Sequence, residues 1–271
     1  MVKLDKIKLQ HNIAQLERYL KQYKKIAIAS SGGIDSSTLL KCAADTLGNK
    51  NVLAVFVKTF LIPEEELISI KAFAGKLSVK LEVINKDITR QAEITGNRKD
   101  RCYRCKKQVF AEIINKASAL GFETVADGSN YDDIAIYRPG LKALGELGVI
   151  SPFKELGISK EIIRHIAKQK NISFWDKPSN PCLATRVPYN YRLSEETIKR
   201  IHDAEYILRR AGLKNLRVRH HGNLARIEVS QEDFDKILEA GLKAAIIDGF
   251  KKLGYKFITL DIEGFRSGSF D

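Results

Sequence analysis

Ile26-Ala27-Ile28-Ala29-Ser30-Ser31-Gly32-Gly33-Ile34-Asp35-Ser36-Ser37-Thr38-Leu39-Leu40 is the stretch on which the fold turns. Residues 26–29 are small or β-branched without interruption, the pattern of a buried parallel strand. Two serines and two glycines follow as a turn, and Asp35-Ser36-Ser37 then opens onto Leu39, Leu40 and Ala43 at helical spacing. A strand that turns through glycines into a helix start presents several backbone N–H groups at one point, on the positive end of the helix dipole. Glycine lets phosphate oxygens approach closely and admits positive φ. Ser31, Ser36 and Ser37 add hydroxyl donors. The expectation is a phosphate cradle lacking the lysine of a Walker A loop. The same residues could build an ordinary βα turn with Asp35 or Ser36 as N-cap, so the whole string decides.

Taken whole, Ser31-Gly32-Gly33-Ile34-Asp35-Ser36 after an apolar strand resembles the pyrophosphatase loop (PP-loop) of the N-type ATP pyrophosphatases. That resemblance implies that ATP is split into AMP and pyrophosphate to activate a substrate oxygen. It leaves the acceptor open.

Outward from the loop, helices and strands alternate. Leu9, Ile13, Leu16 and Leu20 mark an amphipathic helix before the first strand, and the helix after the loop runs to about Asp45 and ends near Gly48-Asn49. Residues 52–57 read as a second strand. Pro63 and Glu64–Glu66 start a helix reaching about Leu77, and residues 80–84 form a third strand. Residues 85–101 are polar and read as a mobile loop before a helix carrying Val109, Phe110, Ile113 and Ile114. Thr124-Val125-Ala126 is a fourth strand, ending at Asp127-Gly128. The pattern predicts an α/β fold, a doubly wound parallel sheet over residues 1–150. Ligands of such sheets sit at the carboxyl ends of strands, so Ser31-Gly32-Gly33 and Asp127-Gly128 are expected to share a site.

Beyond about residue 150 the pattern changes to a smaller α+β domain, 151–271. Helices are expected over 159–169, 194–211 and 231–253. Leu216–Arg219 and Ala225–Val229 alternate like strands with one face in solvent, joined by His220-His221-Gly222-Asn223 as a hairpin connection, and Phe257–Leu260 is a last strand.

With 271 residues and 44% apolar content, the chain can bury one full core and a smaller second one. No stretch approaches the ~18 apolar residues of a membrane-spanning helix, and the first residues carry no signal-peptide core, so a cytoplasmic protein without membrane partners is expected. The formal charge of +13 and a pI near 9.5 favour anionic partners such as RNA, nucleotides or phosphorylated substrates. A solvated lysine-rich surface would give the same numbers. Four cysteines are too few for a disulfide scaffold, which leaves reduced, metal-binding or catalytic thiols.

Cys102-Tyr103-Arg104-Cys105 sets two thiols at metal-ligand spacing where a loop enters a helix, and Cys182 stands far along the chain. Cys42, among the apolar residues of the first sheet helix, is assigned to packing. The CxxC fits an inert pair, a redox dithiol or half of a zinc site, for which only Cys182 and His220-His221 remain as ligands. Three cysteines also suit an iron–sulfur cluster with one iron left open. The basic crowd of Arg98, Lys99, Arg101, Arg104, Lys106 and Lys107 would lower thiol pKa and offset cluster charge.

A longer set of strings carries a closer resemblance. Besides the loop and Asp127-Gly128 it comprises Tyr137-Arg138-Pro139-Gly140-Leu141-Lys142, Cys182 with Arg186 and Pro188-Tyr189, Arg217-Val218-Arg219, Ala225-Arg226-Ile227-Glu228 and Gly264-Phe265-Arg266-Ser267-Gly268. Together they resemble the LarE family of ATP-dependent sulfur transferases over nearly the whole chain. The resemblance implies adenylation of a carboxylate of a pyridinium-3,5-biscarboxylic acid mononucleotide with ATP and Mg, then exchange of the AMP-bearing oxygen for sulfur. The product would be the thiocarboxylate precursor of a nickel-pincer cofactor. Some members resemble a sacrificial type, in which the cysteine matching Cys182 gives up its sulfur. Members with three cysteines at these places are associated with a [4Fe-4S] cluster that delivers sulfide, and Cys102, Cys105 and Cys182 put this chain with them.

On that resemblance Ser31, Gly32, Gly33, Asp35 and Ser36 hold the ATP phosphates, with Asp35 orienting the loop or reaching Mg, and Asp127 and Gly128 complete the pocket. Cys182, Asp35 and Lys106 are the catalytic candidates, Lys106 for pyrophosphate or cluster sulfide. Arg186, Arg217 and Arg219 are candidates for substrate phosphate and carboxylates. Glu205 and Glu228 match a second metal site of the family, although locally they read as ordinary surface acids. The implied partners are a small nucleotide substrate, a sulfide donor and further copies of the chain in a homo-oligomer. The alternatives are a [4Fe-4S]-dependent tRNA thiolase, which the charge favours but which typically carries a second CxxC, and a non-catalytic adenine-nucleotide sensor. A glutamine-fed amidotransferase is weaker, since no glutaminase region is visible.

Overall fold

Strand β1 lies inside a four-stranded, all-parallel sheet, as its unbroken apolar character requires. The computed structural model describes residues 6–134, 139–178 and 180–266. The chain forms two compact units that interleave along the sequence. Met1–Thr59, Glu64–Lys86 and Cys102–Ser179 make the first, and Phe60–Pro63, Asp87–Arg101 and Asn180–Asp271 the second.

In chain order the elements are α1 (Lys6–Leu20), β1 (Ile26–Ala29), α2 (Ile34–Leu47), β2 (Val52–Lys58), α3 (Glu64–Lys76), β3 (Lys80–Asn85), α4 (Ala92–Thr95) and α5 (Arg101–Ala119). There follow β4 (Thr124–Ala126), α6 (Pro139–Glu146), α7 (Pro152–Glu155), α8 (Lys160–Gln169) and α9 (Glu195–Arg210). The last are β5 (Leu216–His221), β6 (Leu224–Val229), α10 (Phe234–Leu238), α11 (Ala240–Lys252) and β7 (Phe257–Leu260).

The first unit carries the sheet β3-β2-β1-β4, in which β1 pairs with β2 on one side and β4 on the other. Alternate residues point to opposite faces. Ala27, Leu53, Val55 and Val125 pack with Phe110, Ile113 and Ala117 of α5 and Leu144 of α6. Ile26, Ile28, Ala54 and Phe56 are buried on the other face. The α1 helix buries Ile13, Leu16 and Leu20, and both α1 and α8 pack against α2. Strand order reverses at β1, where the βα connections leave toward opposite sides. The carboxyl ends of β1 and β4 therefore flank the switch point of the sheet, the place where α/β sheets bind ligands.

The second unit is built on the sheet β5-β6-β7, with β5 antiparallel and β7 parallel to β6. One face of it, with Val218, Ala225, Ile227 and Val229, packs on Ala204 and Leu208 of α9 and Ile246 and Phe250 of α11. The tight turn is only Gly222-Asn223, with Gly222 at φ 64°. His220 and His221 are strand residues, not part of the connection, and His220 is buried beside the Tyr255 hydroxyl.

Three further expectations are corrected. The polar face of β5 and β6 is not in solvent: Arg217, Arg219 and Glu228 are buried, because Arg219 pairs with Glu228 and the Phe265 ring lies on Arg217. Residues 85–101 hold α4 and bury Ile88, Ile94, Thr95, Asn97 and Arg101. Their polar groups are used internally: the Asn97 amide donates to Pro188 O (2.8 Å) and Thr95 O accepts from Leu193 N (2.7 Å). Finally, residues 231–253 are not one helix, since Glu239 adopts an extended conformation between α10 and α11. Among the described residues no helix is long and apolar enough to cross a membrane.

Candidate active site

Gly33 is the N-cap of α2 and no side chain caps that terminus, so neither Asp35 nor Ser36 is the N-cap. The first-turn N–H groups are left facing the loop. Gly32 has φ 79°, and a Cβ there would stand 2.7 Å from both Glu66 O and Glu66 Oε2. Lys177 fastens this corner, its Nζ lying 2.7 Å from Glu66 Oε2 and 3.3 Å from Gly32 O. The Ser36 hydroxyl accepts from Ser31 N and donates to Gly33 O, each at 3.2 Å. Beside it, the buried Ser37 hydroxyl has no hydrogen-bond partner among the described residues. A buried orphan hydroxyl next to an uncapped helix start fits an anion that satisfies both.

The end of β4 meets this loop directly. A Cβ on Gly128 would lie 2.7 Å from Ser36 N and 3.0 Å from Ser36 Cα, so only glycine permits the approach. Asp127 is buried and accepts from the hydroxyls of Ser129 (2.5 Å) and Ser151 (2.6 Å), with Lys106 Nζ 3.7 Å away. Lys106 reaches there from α5 along Gly140, where a Cβ would strike its Cδ at 2.8 Å.

Asp35 is held by Lys160, whose Nζ lies 2.5 and 2.6 Å from the two carboxylate oxygens, and by the Asn130 amide at 3.4 Å. Burial pushes the Asp35 carboxyl above the usual carboxylate range, and Lys160 works against that rise. The loop thus has a lysine after all, supplied from the start of α8.

Cys102 and Cys105 lie three residues apart in the first turn of α5, which puts them on one side of the helix, and both are partly buried. Arg101, just before them, is buried against Ala184 O (3.3 Å) and the Tyr189 ring (5.9 Å). Cys182 belongs to the second unit and is exposed at the head of a short turn, Leu183–Arg186. Its carbonyl accepts from Thr185 N (3.0 Å) and the Thr185 hydroxyl (2.9 Å). No disulfide joins any of the four cysteines, and burial pushes the Cys42 thiol up to about 12, as suits a packing residue. Among the described residues no group of three or more His, Cys, Asp or Glu side chains gathers as a metal site.

The second unit concentrates charge around that turn. Arg186 is fully buried, with Nε 2.9 Å from Glu205 Oε1 and an Nη 3.3 Å from Oε2. Its remaining N–H groups donate to Pro181 O (2.8 Å), Thr185 Oγ1 (2.9 Å) and Asn180 Oδ1 (2.9 Å). All five donors of this guanidinium are thus used by the protein. Glu205 and Glu228 are fully buried rather than surface acids. Burial opposes Glu205 ionisation, but Arg186, Arg209 and Arg217 outweigh it and hold the carboxyl below its ordinary value. Arg219 binds Glu228 through two bonds (3.0 and 2.9 Å) and donates to Thr185 O (2.7 Å). Arg217 donates to Leu216 O (2.7 Å), and burial together with the neighbouring arginines lowers its pKa to about 10.

The loop residues, Asp127, Gly128 and Lys106 are thus gathered in the first unit, and Arg186, Arg217, Arg219, Glu205 and Glu228 in the second. Tyr137, Arg138, Ser267 and Gly268 lie outside the described residues. Sequence reasoning missed Lys160, Glu66 and Lys177. Among 46 lysines and arginines, nothing local marks the one that pairs with Asp35. The available signal was the requirement that a partly buried carboxylate have a cation nearby.

A family model described as NAD synthase matches residues 9–112, from α1 past the Cys102–Cys105 pair. An uncharacterized protein of Methanocaldococcus jannaschii is 38% identical over 264 residues, 96% of this chain and 97% of its own. An uncharacterized protein of Synechocystis sp. is 36% identical over 260 residues, again 96% and 97% of the two chains. The pyridinium-3,5-bisthiocarboxylic acid mononucleotide synthase of Lactiplantibacillus plantarum is 33% identical over 255 residues, 94% of this chain and 92% of that enzyme. A PP-loop at the strand-order reversal and a match of that extent lead to one conclusion: the chain belongs to the LarE family, and it is an ATP-using enzyme of the kind that forms AMP and pyrophosphate.

Proposed function

We propose that this chain adenylates a carboxylate of pyridinium-3,5-biscarboxylic acid mononucleotide, releasing pyrophosphate, and then replaces the AMP-bearing oxygen with sulfur. The observation that carries the reading is the match along 94% of the chain to a synthase whose name states the bisthiocarboxylic product. The loop supports the activation step. Ser31, Gly32, Gly33 and Ser36 hold the phosphates, Gly128 lets the end of β4 close on that loop, and Asp127 positions Lys106 toward the leaving pyrophosphate. Asp35 would be the carboxylate to hold Mg, which would supply charge neutralisation at the phosphates, and Lys160 is its cation in the structure.

Arg217 and Arg219 bind the phosphate and carboxylate of the acceptor, since this buried face carries more arginines than acids. Arg186, with every N–H engaged, acts instead by fixing the turn that presents Cys182. Glu205 and Glu228 serve as counter-ions of these arginines.

The chemistry of the donor set fits an iron–sulfur cluster: two thiols on one helical turn, a third on an exposed turn, and Arg104 and Lys106 beside the pair. Cys102, Cys105 and Cys182 would hold it, and it would supply sulfide at an iron that no cysteine occupies. The protein's own residues bind ATP, align the acceptor carboxylate and neutralise the departing pyrophosphate.

The test uses anaerobically purified, cluster-loaded protein with ATP, Mg, sulfide and the pyridinium dicarboxylate. Pyrophosphate release coupled to a thiocarboxylate product is expected. Neither product, from protein that binds ATP, would reject the proposal.

A further inference from the structure

Residues 261–266, which follow β7, continue along β6 and bring Phe265 to the arginine-bearing face of β5. Asp261 N donates to Ile227 O (2.8 Å), Gly264 N to Asp261 O (3.0 Å) and Phe265 N to Val229 O (2.8 Å), so the segment is pinned along its length. Gly264 makes the tight turn against β6 possible: its φ is 74°, and a Cβ would stand 3.0 Å from Val229 O. The turn lays the Phe265 ring on Arg217, with 4.9 Å between ring centroid and guanidinium carbon. The next residue's carbonyl, Arg266 O, accepts from Arg219 at 3.3 Å. The Asp261 carboxylate meets Arg226 and Arg266, each at 3.4 Å.

This strap covers a region with an excess of positive charge. Arg186, Arg209, Arg217, Arg219 and Arg226 share it with Glu205, Glu228 and Asp261. A carboxylate beside Arg217 would quiet the repulsion but cancel the charge that an anionic ligand needs. An aromatic face stabilises a guanidinium through its quadrupole, fixes the plane of the fork and leaves the cation charged. Phe265 supplies that face.

We propose that Phe265 is a positioning residue: stacked on Arg217, it holds that guanidinium in one orientation on the anion-binding face, so that the strap sets affinity for the phosphate-bearing acceptor. The inference rests on the acceptor reading given above and adds the residue that prepares its site. It requires no contact of Phe265 with ATP.

The experiment measures equilibrium binding of nicotinic acid mononucleotide, a pyridinium with one carboxylate and one phosphate, to the full chain. ATP binding is titrated separately. Phe265→Leu is expected to weaken the mononucleotide by about 5- to 30-fold, as loss of one desolvated cation–π contact predicts, with ATP affinity unchanged. Phe265→Tyr, which keeps the ring, is expected to restore binding. Gly264→Ala, which displaces the strap without touching the ring, should behave like Phe265→Leu and carries the comparison if the leucine variant does not fold. Unchanged mononucleotide binding in Phe265→Leu and Gly264→Ala overturns the inference, and so does equal weakening in the Leu and Tyr variants. A wild-type protein that binds ATP but no mononucleotide overturns the acceptor reading itself, and the inference falls with it.

Discussion

Lys160 holds Asp35 by both carboxylate oxygens, at 2.5 and 2.6 Å, joining the start of α8 to the first turn of α2. Removing one member of such a pair leaves a partly buried charge without its partner. Lys160→Met is expected to cost about 1–3 kcal/mol, the desolvation penalty of an unmet charged group, and to suppress pyrophosphate release. The pH dependence follows from the raised Asp35 pKa, caused by burial and opposed by Lys160. Stability linked to a raised carboxylate is fully present below its unfolded value, about 4, and is lost as pH rises through the folded value. Lys160 limits that loss, so denaturant midpoints of wild type and Lys160→Met should differ most near neutrality and converge in acid. A gap that is constant with pH would show that Lys160 does not govern the Asp35 charge.

Gly128 offers a steric test of the same crevice. A methyl group there meets Ser36 N at 2.7 Å and Asp35 C at 3.1 Å, and both are backbone atoms at a helix start. Relief requires moving the loop away from the end of β4. Gly128→Ala is expected to lower stability by about 1–3 kcal/mol, as overpacking does, and to abolish measurable ATP binding in a nucleotide titration. Gly145→Ala, where nothing lies within 4 Å, is the control and should leave both unchanged.

Much of the first unit was legible because its signals are local. An unbroken run such as Ile26–Ala29 and a glycine pair before Asp35 specify a strand, a turn and a helix start without distant partners. That Ser31-Gly32-Gly33 and Asp127-Gly128 come together followed from the rule that parallel sheets bind ligands at the carboxyl ends of their strands. What was not legible depends on distant pairing. Arg217 and Arg219 alternate with apolar residues, which reads as a wet face, and only the Phe265 ring and the Thr185 turn cover them. Residues 85–101 look like loop because their polar groups are satisfied by residues some ninety positions away, as Asn97 is by Val187 and Pro188. Glu205 looks like a surface acid on α9 until Arg186 is placed beside it.

That pair predicts a stability effect more than a binding one. Arg186 and Glu205 are both fully buried, and the guanidinium also holds the carbonyls and side chains of Asn180, Pro181 and Thr185. Arg186→Met is expected to cost about 3–5 kcal/mol, the range for breaking a buried ion pair. Arg186→Lys should recover little of it, since an ammonium cannot reproduce the fork. Glu205 is held below its ordinary pKa, so its contribution is present above about 4 and is lost as pH falls through the folded value. Acid unfolding of wild type should therefore be steeper than that of Glu205→Gln, as followed by circular dichroism.

The source of the sulfur is the last question the thiols decide. Cys182 stands exposed on a turn held by Arg186, an arrangement that presents a sulfur atom equally well as a donor to be consumed or as a ligand to be kept. A consumed sulfur needs no second thiol, whereas Cys102 and Cys105 occupy one side of the first turn of α5. If the three act together, anaerobic protein should be brown, with iron and sulfide, and Cys102→Ala, Cys105→Ala and Cys182→Ala should each lose the colour and thiocarboxylate formation. Activation precedes sulfur transfer, so pyrophosphate release should persist in all three variants. If Cys182 is itself the donor, Cys102→Ala and Cys105→Ala should keep a single turnover. Mass spectrometry should then find dehydroalanine at position 182 after reaction. Repeated turnover with sulfide and an intact Cys182 would establish the cluster route, and dehydroalanine with one turnover would remove it.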